Sequence, residues 1–203
     1  MIYLPSDPRI NSFLDEENRL FLKGNLKEAI SYYDKILEEN PQHQSSLNNK
    51  GYALSKLKDY ESAITCYDDA LKLDPNDLPV LINKISALRK KGNLDEALLN
   101  CDRILDSNPN YNIVLYHKER ILLSKQEFDQ SITCCNKILL DYPDNGDVLF
   151  DKACNLLMIS KVDEALDNLE KSINQGVQYK VKAKNSKFFE NIRENTRFKN
   201  LIS

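Results

Sequence analysis

The sequence has few glycines, few histidines and no long apolar run, and each scarcity removes a class of function. Five glycines are scattered along 203 residues, and none forms the Gly-rich loop whose backbone N–H groups cradle a phosphate. His43 and His117 are the only imidazoles. No cysteine stands in a recognisable catalytic pairing, and no spacing of His, Cys, Asp or Glu matches a metal site. The expectation is a protein that is not an enzyme, with no cofactor, metal or small-molecule substrate. No stretch approaches the roughly 18 apolar residues of a membrane span, and the N-terminus lacks an apolar segment of signal-peptide length. A soluble cytoplasmic protein is expected on that basis. The five cysteines (Cys66, Cys101, Cys134, Cys135, Cys154) are odd in number and form no C-x-x-C pair. They fall inside apolar helical pattern, which predicts reduced thiols in or near a core.

Charge is also sparse in net terms, at −3, so no global field draws the chain to nucleic acid or acidic membrane. The local balance differs. Residues 180–203 hold seven basic side chains against Glu190 and Glu194, which makes this tail the one basic patch. With 29% charged residues and no low-complexity tract, one continuous helical domain is the simplest reading.

What the sequence does have is a period. Pro41, Pro75, Pro109 and Pro143 stand 34 residues apart, each after an apolar helical pattern that a proline would stop. Twelve residues before them lies a column of small residues, Ala29, Ala63, Ala97 and Ser131, continued by Ala165. Small side chains at such positions let two antiparallel helices approach closely. Four residues on come Tyr33, Tyr67, Cys101, Cys135 and Leu169, then Ile36, Ala70, Ile104 and Ile138. The fifth unit has Ser172 at that last position and Ile173 one residue late, which reads as a slip of register. A first helix in each unit carries Phe13, Leu47, Leu81, Leu115 and Leu149, and seven residues on Leu20, Leu54, Leu88, Leu122 and Leu156. Between the two helices lie Gly24-Asn25, Lys58-Asp59, Gly92-Asn93, Gln126-Glu127 and Ser160-Lys161, all compatible with turns. The chain thus divides into an N-terminal lead at 1–9, five helix hairpins at 10–43, 44–77, 78–111, 112–145 and 146–179, and a basic amphipathic tail at 180–203.

The period, the Gly51-x-x-Leu54 and Ala153-x-x-Leu156 pairs, the Ala63 and Tyr67 spacing and the closing prolines resemble the tetratricopeptide repeat (TPR) family over about residues 10–179. The resemblance implies an all-α fold, a right-handed α-solenoid of five TPR hairpins with a C-terminal capping helix or helices. Departures are definite. Tryptophan is absent altogether, the small eighth residue is replaced by Glu17, Ile85 and Glu119, and the seventh is Lys50, Lys84, Lys118 and Lys152 where leucine is usual. Lysine can bury its stem and expose its amine, so the pattern still folds. In the tail, Phe188, Phe189, Ile192, Phe198, Leu201 and Ile202 recur at helical spacing on a basic background. Such a segment caps the last apolar face of a stack; the alternative is an exposed helix for RNA, an acidic membrane surface or another protein.

The resemblance further implies that the first helices line a concave groove that binds a protein or peptide, making the chain an interaction module, scaffold or adaptor. The sixth residues of successive units are Asp15, Asn49, Asn83, His117 and Asp151, and the asparagines resemble the family's groove residue that hydrogen-bonds a ligand backbone. Other groove positions include Leu14, Asn18 and Leu22, then Asn48, Tyr52, Lys56, Arg89, Lys90, Tyr116, Arg120 and Phe150. The middle units are cationic and the last is apolar, which suits a ligand with carboxylates near one end and a hydrophobic anchor near the other. A carboxylate clamp of the co-chaperone type is not expected. Asn18 and Asn49 match its amides, but Leu14, Pro79 and Asn83 stand where it needs cations. Self-association of two arrays stays open.

Overall fold

The computed structural model describes residues 24–203. Two compact units make up the chain, one ending at Ala97 and the other running from Leu98 to Ser203. All regular structure among the described residues is helical. The first unit contains α1 (Leu26–Glu39), α2 (Gln44–Lys56), α3 (Tyr60–Leu73), α4 (Leu78–Lys91) and the start of α5 (Leu94–Ser107). The second holds the rest of α5, then α6 (Asn112–Ser124), α7 (Phe128–Asp141), α8 (Gly146–Met158), α9 (Val162–Gln175), α10 (Gln178–Asn185), a 3₁₀ segment (Lys187–Ile192) and α11 (Thr196–Ile202).

Local chemistry sets these boundaries. The helices that precede Pro41, Pro75 and Pro143 end one or two residues short of them, and the chain restarts at a capping residue two positions on. Asp77 accepts from the Val80 N–H at 3.1 Å and Asn145 from the Val148 N–H at 3.2 Å, satisfying orphan donors at the starts of α4 and α8. Inside each hairpin the turn residue sits in the left-handed region. The φ angles are 79° at Gly24, 68° at Lys58, 97° at Gly92, 63° at Gln126 and 63° at Ser160. That geometry wraps the next N–H back onto the helix end, as in Glu127 N–H to Leu122 O at 2.9 Å and Lys161 N–H to Leu156 O at 2.9 Å. Lys58, Gln126 and Ser160 carry a Cβ in a conformation that strains it, so Gln126→Gly is expected to stabilise the chain by about 0.5–1 kcal/mol. Urea unfolding checks this, and an unchanged or lowered midpoint contradicts it.

The repeat columns form the cores. In the first unit Ala29, Tyr33 and Ala53 make one cluster, and Leu47, Ala63, Tyr67, Ala70, Val80 and Ala87 another. Gly51 is there because the Tyr67 ring lies against it: a Cβ at residue 51 would stand 2.7 Å from Tyr67 Cε1. Of the bulky eighth residues, Glu17 lies outside the described residues, and Ile85 and Glu119 are accommodated, both fully buried. In the second unit Leu115, Leu122, Cys134, Cys135, Ile138 and Val148 pack together. The fifth hairpin does not slip in register. Ser172 occupies the core column itself, fully buried, and its hydroxyl donates to Gly146 O at 2.8 Å, replacing an apolar contact with a satisfied polar one. All five cysteines are free and buried, and burial raises each thiol pKa, which keeps them poor nucleophiles.

The lysines at the seventh position have a shared explanation. Three of the four reach the second helix of the preceding hairpin: Lys50 to Asp34 at 2.6 Å, Lys84 to Asp68 at 2.7 Å, Lys118 to Asp102 at 2.5 Å. Lys84 adds Glu96 at 3.0 Å; burial alone would lower its pKa, but the two carboxylates outweigh that and raise it. The fourth rung is broken, because residue 136, sixteen before Lys152, is asparagine. These pairs are part-exposed and contribute at most about 1 kcal/mol each.

The tail closes the last hairpin with aromatic packing. Phe189 and Phe198 are buried, their rings stacked 5.4 Å apart, and Phe189 lies 5.6 Å from Phe150 of α8. Tyr179 stacks on Phe150 at 6.1 Å and presses on Gly146, where a Cβ would stand 2.6 Å from the tyrosine ring. Arg197 pins α11 to α9 through Asp167 at 2.6 Å and Glu170 at 3.0 Å.

Candidate functional site

Groove positions of the first hairpin (Leu14, Asp15, Asn18 and Leu22) lie outside the described residues. In the first unit α2 and α4 place the rest of the candidates. Asn48, Asn49, Tyr52 and Lys56 are spaced to share one face of α2. Asn83, Arg89 and Lys90 come from α4. The asparagines join the two helices: Asn83 Nδ2 donates to Asn48 Oδ1 at 2.9 Å, and Asn48 Nδ2 donates to Asn49 Oδ1 at 3.4 Å. Asn48 is thereby used on both sides of its amide. Asn49 Nδ2 and Asn83 Oδ1, one donor and one acceptor, have no partner among the described residues. Asn49 lines a cleft of about 290 Å³ together with Ser45, Asn48, Pro79 and Val80, and Asn83 is joined to this lining through its bond to Asn48. Gln44 closes it by donating to Asp77 at 2.8 Å. Farther along the face Lys56 stands 5.1 Å from the centroid of the Tyr52 ring.

In the second unit the expected groove surface is occupied. Phe150 and Asp151 are only 3% and 6% exposed. The basic tail covers them: Lys182 of α10 lies 4.3 Å from the Phe150 ring centroid, 3.5 Å from Asp147 Oδ1 and 4.0 Å from Asp151 Oδ1. The apolar anchor surface anticipated at Phe150 is therefore part of the core, because the tail buries it. On α6, Tyr116, His117 and Arg120 remain partly exposed. Arg120 donates from Nε and Nη2 to the same Asp151 oxygen, at 3.2 and 2.9 Å, while its guanidinium lies 4.8 Å over Tyr116. Burial raises the pKa of the Tyr116 hydroxyl.

Beneath that pair lies a cluster that the sequence pattern did not reveal. Glu119 is fully buried; Ser131 Oγ donates to its Oε1 at 3.2 Å and Asn155 Nδ2 does so at 3.4 Å. Glu119 Oε2 and Asn155 Oδ1 are buried acceptors without a donor. The one available signal was coincidence within a single hairpin: a bulky acid at the eighth residue and a serine in the small-residue column. Among the described residues no group of three or more His, Cys, Asp or Glu is placed to hold a metal ion, and no helix is long and apolar enough to cross a membrane.

A hairpin every 34 residues, with the small-residue column at each helix contact, is the geometry of a recognised repeat class. The family model for the tetratricopeptide repeat protein 21 N-terminal ARM repeat matches residues 17–132, more than half of the chain. The chain belongs to this tetratricopeptide-repeat family. Among solved structures its TPR fold is similar to the MamA RS-1 ArsTM double mutant, at TM-score 0.78 and 19% identity over 83% of this chain and 95% of that one. It is also similar to MamA 41-end from Desulfovibrio magneticus RS-1, at TM-score 0.78 and 18% identity over 89% and 99% of the two chains. YrrB, a TPR protein with an unusual peptide-binding site, matches at TM-score 0.70 and 18% identity over 86% and 91%. At these identities the likeness is one of fold. No curated protein matches in sequence.

Proposed function

We propose that this TPR chain is a non-enzymatic interaction scaffold that holds an extended segment of a partner protein on the α2–α4 face of its first unit. The observation that carries this reading is the open amide pair joined through Asn48: Asn49 Nδ2, on a residue that lines the cleft, and Asn83 Oδ1, on the residue bonded to Asn48, are a donor and an acceptor unused among the described residues. An extended peptide backbone presents both complements at every residue, so such a pair grips a chain with little regard to its sequence. In the second unit Phe150 and Asp151, at the register positions of Asn48 and Asn49, are covered by the tail. Membership of the repeat family and the peptide-binding site of YrrB support a scaffold role in kind.

Asn49→Ala combined with Asn83→Ala is expected to weaken capture of the native partner by about tenfold or more, each lost amide being worth about 1 kcal/mol. Circular dichroism should stay unchanged, since both side chains are partly solvated. Capture that survives the double substitution sinks the groove reading. The alternative role for the basic tail, docking on RNA or an acidic membrane, has less support: Lys182 and Arg197 are already committed to carboxylates of α8 and α9.

A further inference from the structure

We propose that the second unit has another copy of this chain as a partner: Leu140, near the end of α7 in one copy, enters an apolar cleft beside the 3₁₀ segment of the next. This goes beyond the groove reading and does not depend on it.

The repeat itself shows which apolar residues the fold does not ask for. In the column of Leu140 the other hairpins have Glu38, Lys72, Asp106 and Asn174, and in that of Tyr142 they have Asn40, Asp74, Asn108 and Gly176. Only the fourth hairpin puts large apolar side chains at these positions, and both reach water. Leu140 is 83% exposed, the highest value of any large hydrophobic side chain among the described residues, and Tyr142 is 55% exposed. One exposed leucine is ordinary. A matching cavity at the other end of the same unit gives it a use. Met158, where the three preceding hairpins have Lys56, Lys90 and Ser124, is 46% exposed and lines a cleft of about 880 Å³ with Leu123, Phe128, Leu157, Phe188 and Ile192. Its walls are the turns of the fourth and fifth hairpins and the 3₁₀ segment. A cavity of that size is large enough to take bulky apolar groups out of water.

Charge points to what fills it. The lip formed by the 3₁₀ segment carries Lys187 and Glu190, while Leu140 is flanked by Lys137, one turn before it, and Asp144, four residues after it. All four are exposed, and none meets an opposite charge among the described residues. Setting Lys137 against Glu190 and Asp144 against Lys187 puts two attractive pairs around one apolar contact. An anionic lipid or a nucleic acid would satisfy Lys187 but leave Glu190 facing phosphate. Leu140 cannot fill the cleft of its own chain. Phe128 opens α7 and forms part of the cleft wall, and Leu140 stands on the same helix at a rise of about 18 Å from it. The contact therefore joins unlike patches of two copies, so it does not close on a two-fold axis and a third copy can add. An interface this small makes the association weak.

Sedimentation velocity on the full chain, over a concentration series, is the test. Dimers and larger species are expected to grow in together. Leu140→Asp and, separately, Met158→Asp should each raise the apparent Kd about tenfold or more. Neither side chain is buried, so circular dichroism should not change. An equimolar mixture of the two variants retains one intact Leu140 and one intact cleft, and should give a dimer and nothing larger. Lys187→Glu alone should weaken association, and Asp144→Lys/Lys187→Glu should restore it. A parent chain that stays monomeric up to about 1 mM overturns the proposal, and so does a mixture of the two variants that stays monomeric. Growth that stops at the dimer in the parent overturns it as well, because a patch that meets its own copy closes there.

Discussion

Phe189→Ala is expected to destabilise the second unit by about 3–5 kcal/mol, the range for emptying a buried aromatic site. Phe189 is fully buried between Phe150 and Phe198, at 5.6 and 5.4 Å, so its removal leaves both neighbouring rings without a packing partner. The same change exposes Phe150 and loosens Lys182 from Asp147 and Asp151. In a repeat protein stability is close to a sum of nearest-neighbour terms, so the loss should be local. Hydrogen exchange is the measurement: amides of α8 to α11 should lose protection while those of α2 and α3 keep theirs. Uniform loss across both units, or a change below about 1 kcal/mol, would show that the tail is not what closes the last hairpin.

Raising the pH from 5 to 9 is expected to cost stability through Glu119, and Glu119→Gln to remove that cost. Burial and the negative charge of Asp151 push the Glu119 carboxyl up to about 8 from an ordinary 4.5, against the opposing effects of Arg120, Ser131 and Asn155. Geometry agrees: two buried acceptors, Glu119 Oε2 and Asn155 Oδ1, lack a donor, and a proton on the carboxyl supplies the donor that the cluster needs. In the unfolded chain the same group releases its proton near 4.5, so between there and about 8 the folded state holds one proton more. Stability from that proton is present in full below the lower value and is lost as pH rises through the upper one. Glutamine keeps the accepting Oε1 and carries no charge, so E119Q should show a flatter stability–pH profile. At pH 9 it should exceed the parent by on the order of a few kcal/mol. Parallel profiles for the two proteins would refute a neutral buried Glu119.

Several features of this molecule are written in its residues one at a time. A proline stops a helix wherever it stands, an Asp or Asn two residues later caps the next, and a small residue every 34 positions marks where helices touch. These are local or pairwise effects, so the hairpins and their all-α class are legible without a structure. The seventh-residue lysines were legible as solvent-reaching stems, but their partners sixteen residues back, Asp34, Asp68 and Asp102, follow only from how one hairpin leans on the one before. At Ser172 pattern reading misled, because a serine in an apolar column looks like slippage until its bond to Gly146 O is seen.

The candidate site divides along the same line. Residue type and register were enough to nominate Asn49, Asn83, Lys56 and Lys90, since a side chain's face on a helix depends only on its number. Whether a nominated face stays open depends on what else the chain lays over it. Phe150 and Asp151 stand at the same register positions as Asn48 and Asn49, yet they are core because an aromatic tail, remote in sequence, docks there. Glu119 makes the point for charge: its protonation follows from burial beside Asp151 and Asn155, more than thirty residues away, and no local pattern encodes that environment. The sequence by itself determined the repeat, the helix limits and which residues could be nominated for a groove face. Only the tertiary structure decided which part of that face is free and which ionisable groups are neutral, because both depend on long-range packing that excludes water.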